Sequence, residues 1–245
     1  MSTLIVDRNI PLGAENRRIQ AVYAHRKDRD GAVHAEYDSY MDQELLGALA
    51  MRLQRTGLGS LANLKLLEVG CGAGRMLSRL RPFGAQPINY VGIDLVSERL
   101  DAAVRTKPDA RFVQANAAQL PFRDGEFDLV FQFLVFTSVL DPRIRTAMAA
   151  EIMRTLRPGG YFISYDFCYS NPRNPNVRGF GRGEIKELFP DCQMTFQRVT
   201  LAPPIGRLVA RISPALCHVF SALPILRTHA LCFARKPELV QLEST

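Results

Sequence analysis

No pair among the five cysteines, Cys71, Cys168, Cys192, Cys217 and Cys232, has CxxC spacing, and their number is odd. Neither a zinc site nor a disulfide framework is expected, and a reducing cytoplasm suits the chain best. Tryptophan is absent. No run of about eighteen uncharged apolar residues occurs, so no membrane-spanning helix is expected. Residues 1–9 lack a basic region followed by an apolar stretch, so no secretory leader is expected there. The net charge is +7, yet no basic stripe is interleaved with aromatics, so nucleic acid is not an expected partner. No internal repeat or low-complexity tract appears, and no linker divides the chain.

What is present suits one globular domain. The chain has 245 residues, 47% of them hydrophobic and 22% charged, which is enough for a full core. The stretch from Leu64 to Arg75, Leu-Lys-Leu-Leu-Glu-Val-Gly-Cys-Gly-Ala-Gly-Arg, organises it. Leu64, Leu66, Leu67 and Val69 are the apolar run of a strand buried on both faces. Gly70, Gly72 and Gly74 follow, and without Cβ atoms the chain can turn tightly there and lay its backbone against a ligand. Met76, Leu77 and Leu80 then take helical spacing, which ends near Pro82. Strand, glycine turn and helix start make a nucleotide-binding corner. The dinucleotide fingerprint is Gly-x-Gly-x-x-Gly, which delivers a pyrophosphate to the helix N-terminus. Here the spacing is Gly-x-Gly-x-Gly, and Glu68 stands just before it. A carboxylate there suits a positively charged ligand and would repel a diphosphate.

In these residues the chain resembles the class I S-adenosylmethionine-dependent methyltransferases of the methyltransferase type 11-like kind, whose first motif reads acid-x-Gly-x-Gly-x-Gly. The resemblance covers residues 64–167 well and the flanks in outline. It implies a Rossmann-like, doubly wound α/β sheet of seven strands, six parallel and the seventh antiparallel. It also implies S-adenosylmethionine as cofactor, S-adenosylhomocysteine as product and no metal. It assigns Glu68 and the backbone of Gly70, Cys71, Gly72 and Gly74 to the methionine end. Asp94 and Leu95, at the end of a second strand (Ile88–Asp94), fall to the ribose; a helix-capping acid is the other reading of Asp94. Asn116, Ala117 and Ala118 fall to the adenine, with Asn116 standing where the family commonly has Asp. Gln132 and Phe133 close a strand that begins near Asp128, beside the methionine part. Asp128 itself reads as structural. Leu-Arg-Pro-Gly-Gly at 156–160, a helix stop before a strand, is a hallmark of the same family.

A single domain over 1–245 is expected. Residues 1–60 form an N-terminal helical cap, 61–167 the cofactor-binding core, and 168–245 the acceptor-side elements and closing hairpin. Residues 1–12 read as a loose arm. Tyr23, Tyr37 and Tyr40 are acceptor-side lid candidates or, equally, tyrosines packed between helix and sheet. The family's histidine run after the fourth strand is missing. Thr137 or Ser138 could orient a hydroxyl there, or simply start a helix. Asp166, at the end of the fifth strand among Tyr165, Phe167 and Tyr169, is the candidate general base; a cap or an arginine's partner is the alternative. Tyr169, Arg173 and Arg178 belong to a turn-rich loop suited to an anionic acceptor, or to a plain solvated loop. Residues 203–228 are apolar, punctuated by proline and flanked by arginine. They read as helices walling the acceptor pocket, as a dimer contact, or as a peripheral membrane surface.

The expected function is methyl transfer to a small-molecule or glycan acceptor, lipid-linked in one reading, at an oxygen atom. The tail resembles methyltransferases of bacterial surface-polysaccharide synthesis. The competing functions are a non-catalytic S-adenosylmethionine-binding protein and a nicotinamide-dependent oxidoreductase. The expected location is the cytoplasm, with the inner face of a membrane as the peripheral variant.

Overall fold

The strand–helix alternation read from the sequence is present in the computed structural model, which describes residues 4–6, 13–24 and 35–238. In chain order the elements are β1 (Leu4–Val6), α1 (Ala14–Ala24), α2 (Ala35–Arg55), β2 (Leu66–Val69), α3 (Arg75–Leu80), β3 (Tyr90–Asp94), α4 (Ser97–Thr106), β4 (Arg111–Gln114), β5 (Phe127–Phe133), α5 (Pro142–Thr155), β6 (Leu156–Phe167), α6 (Arg182–Leu188), β7 (Gln193–Leu201), α7 (Pro203–Ala210), α8 (Pro214–Ser221) and β8 (Arg227–Arg235).

The sheet order is β1-β4-β3-β2-β5-β6-β8-β7. The expected seven strands run from β4 to β7, and only β8 is antiparallel to its neighbours. Leu4–Val6 adds a short parallel strand beside β4, where the sequence suggested only a loose arm. The remaining residues of that arm lie outside the described residues. β2 sits in the middle, between β3 and β5, and all four of its residues are buried. That double burial is why its sequence runs apolar rather than alternating. The order reverses between β2 and β5, so the carboxyl ends of these strands open a crevice at the switch point.

The two faces of the sheet are covered differently. Leu45, Leu49 and Leu53 of α2 pack on Leu66, Tyr90, Phe112, Phe131 and Tyr165. On the other face, Met148 and Ile152 of α5 and Ile185 of α6 pack on Leu67, Ile93, Val130 and Phe162. The start of α5 follows its sequence signal: Asp141 accepts from the Arg143 N–H at 2.9 Å, and Pro142 takes the first helical position. After Thr155 the chain passes directly into β6, so Leu-Arg-Pro-Gly-Gly is the first stretch of that strand as well as the helix stop. Asp128 is structural, as expected. It accepts from the Lys65 N–H at 2.8 Å and pairs with Arg157 at 2.5 Å, fixing the entry into β5.

The insert before β8 folds as α7 and α8. Val209, Ala210 and Cys217 point inward and form a third cluster with Tyr37, Tyr40 and Leu201. Gly206 lets α7 approach α2, since a Cβ there would lie 2.0 Å from the Tyr37 ring. The outward residues Leu208, Ile212, Val219, Leu223 and Ile225 are exposed. No described helix is long and apolar enough to cross a membrane.

Gly206→Ala is therefore expected to lower stability by about 1–3 kcal/mol through overpacking, although Ala is the better helix former in a neutral site. Urea unfolding checks this; a stabilised variant would show that the α2–α7 contact is loose.

Candidate functional site

The crevice is built first from backbone. Gly70, Gly72 and Gly74 have φ of 70°, 53° and 69°, a region that favours glycine. The turn is closed by the Cys71 N–H donating to Ile93 O at 2.8 Å and the Gly74 N–H donating to Cys71 O at 2.9 Å. A Cβ would lie 2.4 Å from the Val135 side chain at Gly70 and 2.4 Å from the Arg99 guanidinium at Gly72. Asp94, at the end of β3, holds this loop from the side. One carboxylate oxygen accepts from the Gly72 N–H at 2.8 Å and the other from the Val96 N–H at 2.9 Å. Burial pushes this carboxyl up, against the pull of Arg99 and the backbone donors. Each oxygen keeps a further lone pair, so the group can still accept from the two hydroxyls of a ribose.

Glu68 lies beneath the loop, in register with Gly92 on one side and Phe131 on the other. It is only 4% exposed and accepts a hydrogen bond from the Tyr90 hydroxyl. Burial pushes its carboxyl up to about 8, helped by the neighbouring Asp94. Cys71 is buried, and its thiol is raised well above the ordinary range for the same reason, which suits packing rather than nucleophilic chemistry. At the end of β4, Asn116 Oδ1 accepts from the Ala118 N–H at 3.0 Å. That bond holds the Asn116–Ala118 turn and uses one lone pair of the side-chain oxygen, so the other lone pair and the amide NH2 are left to meet a purine ring.

Gln132 and Asp166 share one buried network. Gln132 Nε2 donates to Ser164 Oγ at 2.7 Å and to Asp166, while Val135 N–H donates to Gln132 Oε1 at 2.9 Å. Asp166 also accepts from Ser164 Oγ at 3.1 Å and from the Thr137 N–H at 3.1 Å. Both side chains are 0% exposed. Burial raises the Asp166 carboxyl to about 6, but it faces protein, not the crevice. The expected general base is therefore a buried acceptor that positions the turn after β5. Thr137 is itself buried. Phe133 packs against Phe131 and Tyr165, with centroids 5.7 and 6.1 Å apart. Leu134, next in line, has φ of 63°, a strained conformation of the kind that gathers at functional sites.

The helical cap does reach the crevice. Tyr23 of α1 hydrogen-bonds Ser138 Oγ at 2.6 Å, and Arg99 lies 6.0 Å from its ring. Arg18 donates to Ser138 O at 2.6 Å, and Gln20 donates to Leu95 O at 3.3 Å. α1 thus touches the ends of β3 and β5 on both sides of the glycine loop. Tyr37 and Tyr40 lie elsewhere, under α7 and α8. Tyr169 and Arg178 stand on the loop after β6, where Tyr169 accepts from Arg198 at 2.6 Å and Arg178 pairs with Glu184 at 2.5 Å. Arg173 is exposed on the same loop. The Arg178 N–H donates to Thr137 O at 2.9 Å and Arg18 reaches Asn176 Oδ1 at 3.4 Å, so this loop packs on the turn after β5 and on α1. The structure thus joins the glycines, Asp94, Asn116 and Tyr23 around one crevice, with Glu68 beneath the glycine loop. Arg99, Gln20 and Tyr90 were missed by sequence reading. A tyrosine at the start of a strand and an arginine on a helix carry no motif.

Residues 67–164 match a family described as a methyltransferase domain. The chain is 43% identical over 105 residues to a fatty-acid O-methyltransferase of Mycolicibacterium smegmatis, covering 42% of this chain and 36% of that protein. It is 36% identical over 113 residues to phthiotriol/phenolphthiotriol dimycocerosates methyltransferase 1 of Mycobacterium ulcerans, covering 45% and 40%. The chain thus spans less than half the length of these relatives. Among solved structures, it resembles the geranyl diphosphate C-methyltransferase of Streptomyces coelicolor A3(2), determined with Mg2+, geranyl diphosphate and S-adenosyl-L-homocysteine. There the TM-score is 0.63 and the identity 16%, over 94% of this chain and 100% of that one.

Because the Glu68 carboxyl sits at about 8 when folded and near 4.5 when unfolded, the folded protein binds the extra proton between those values. Stability from this group therefore falls as pH rises through that window. Glu68→Gln keeps an acceptor for Tyr90 and removes the titration. Its stability is expected to exceed that of the parent by on the order of 2–4 kcal/mol at pH 8.5, with the difference vanishing near pH 4. Parallel melting curves across this range would refute the assignment.

Proposed function

We propose that this chain, whose residues 67–164 form a methyltransferase domain on the class I S-adenosylmethionine-dependent fold, transfers a methyl group from S-adenosylmethionine to an oxygen of a lipid-like acceptor. The observation that carries this reading is the glycine loop locked to Asp94, with three glycines at positive φ and a carboxylate still able to accept from a ribose. Glu68 and the Gly70–Gly74 backbone would hold the methionine end, Asn116 and Ala117 the adenine, and Tyr23 with α1 would cover the crevice. The cofactor supplies an activated methyl on a sulfonium, with a neutral thioether as leaving group. The chain's part is then orientation and exclusion of water. The Asp166 network fixes the turn of Val135–Ser138 that faces the transferred group, and the Tyr23–Ser138 bond shuts the crevice beside it.

Two features support a lipid-like acceptor. The two relatives described above are named for fatty acids and for dimycocerosates. The insert before β8 exposes Leu208 of α7, Val219 of α8, and Ile212, Leu223 and Ile225 of the turns that follow them, and between Pro203 and Thr228 there is no acidic residue but three arginines, Arg207, Arg211 and Arg227. Such a face suits peripheral contact with an anionic bilayer, from which an amphiphile could be drawn.

Calorimetry with S-adenosylmethionine and S-adenosylhomocysteine is the first test. Asp94→Ala is expected to weaken both by about 1–3 kcal/mol; no binding to the parent protein removes the reading. Transfer of labelled methyl to a panel of fatty acids, lipid alcohols and polyprenyl-linked glycans then identifies the acceptor. Cofactor binding without transfer to any of them would leave a non-catalytic binder. Flotation with phosphatidylglycerol vesicles tests the outer face. Ile212→Glu with Leu223→Glu is expected to abolish flotation while leaving cofactor binding unchanged.

A further inference from the structure

Arg99 belongs to no motif, and nothing local accounts for a cation there. It stands in the first turn of α4, where positive charge opposes the helix dipole. Its side chain reaches the glycine loop instead. A Cβ at Gly72 would lie 2.4 Å from one terminal guanidinium nitrogen and 3.1 Å from Cζ and Nε, so the guanidinium occupies the space that a side chain at 72 would need. Gly72 is thus required twice, for its φ of 53° and for this approach. Among the described residues the guanidinium has no hydrogen bond and no ion pair. Its N–H donors are left to other partners.

Two groups of the crevice meet it there. Asp94 accepts from the Gly72 N–H at 2.8 Å, so its carboxylate and the Arg99 guanidinium lie against the same residue. They are not bonded to each other, yet Arg99 is the strongest of the influences that oppose the effect of burial on Asp94. The Tyr23 ring of α1 has its centroid 6.0 Å from Arg99 Cζ, at the outer limit of a cation–π contact. The acid and the cation therefore flank Gly72 without closing on each other.

We propose that Arg99 is the second half of the ribose site: Asp94 accepts from the hydroxyls of the vicinal diol, and the Arg99 guanidinium donates to their oxygens. This role rests on the S-adenosylmethionine reading and deepens it. A hydroxyl carries one donor and two lone pairs, so a carboxylate alone satisfies only part of it in a site covered by α1. A cation with free N–H groups, placed against the same residue as the carboxylate, supplies the rest. Charge-assisted bonds of this kind are the stronger ones. The same cation keeps Asp94 in the ionised form that the diol needs, against the burial that pushes its carboxyl up. A bound ribose would also fix the guanidinium beside the Tyr23 ring, and so tie cofactor to α1.

Calorimetry with S-adenosylhomocysteine and its 2′,3′-dideoxy analogue, on the parent, Arg99→Met and Arg99→Lys, tests this role. No binding of S-adenosylhomocysteine to the parent refutes the S-adenosylmethionine reading itself. Given binding, Arg99→Met is expected to weaken S-adenosylhomocysteine about tenfold and the dideoxy analogue by less than about twofold. Equal weakening of both would overturn the proposal, because a loop merely loosened by the substitution holds either ligand less well. The pH profile is the second readout. Asp94 must be ionised to accept, so affinity falls as pH drops through its titration. Without Arg99 its carboxyl rises further, so Arg99→Met is expected to lose affinity at a higher pH than the parent. The neighbouring Glu68 of β2 keeps its proton up to about 8, and the Cys71 thiol lies well above the ordinary range, so neither titrates in the acid limb. Arg99→Lys retains the charge but not the fork; it is expected to keep the parent's profile, with an affinity between the other two. Superimposable profiles for the parent and Arg99→Met would overturn the proposal as well.

Discussion

The crevice depends on one carboxylate. Asp94 grips the Gly72 N–H with one oxygen and the Val96 N–H with the other, which ties the turn after β2 to the turn after β3. Cys71 and Val96 are buried in these turns, and the Gly74 N–H closes the first on Cys71 O. The glycines carry no side chain to hold the loop, so Asp94 adds a grip on it from the neighbour strand. A charge-assisted bond to backbone N–H is among the stronger ones available for that task. The same group keeps free lone pairs at the crevice edge, so the side chain that sets the loop is also one that a ribose could meet.

The second half of the site is fixed in a comparable way from within the sheet. Gln132, Ser164 and Asp166 point to the same face of β5 and β6, in register at Gln132 and Ser164, and their bonds end on the Val135 and Thr137 N–H groups. A buried polar network is worth its desolvation only when every member is satisfied, and here each one is. The turn carrying Leu134 and Ser138 is thereby held in a strained course that local propensity would not select.

The fold was legible because its signals are local. The apolar run of β2, the three glycines, the Asp-Pro start of α5 and the Pro-Gly-Gly stop each act within a few residues, and Asp94 is found by its place at a strand end. What was not legible depends on which face a strand residue takes or on partners far along the chain. Tyr165 and Phe167 share one face of β6, which puts Asp166 on the other; a run of Tyr-Asp-Phe does not say which face meets the ligand. Tyr37 and Tyr40 carry helical spacing that fits a lid as well as it fits a core. His229 meets Phe167 only because β8 runs antiparallel to β6, a pairing that no local signal announces. The Leu4–Val6 strand is too short for any periodicity to announce it.

α1 has eleven residues, and isolated helices of that length are marginal in water. Its order therefore derives from the bonds it makes across the crevice: to Leu95 on one bank, and to Ser138 and Leu140 on the other. Breaking those bonds removes the reason for the helix to exist. A ligand whose departure on that side required these bonds to break would leave only as fast as those eleven residues lose their helix.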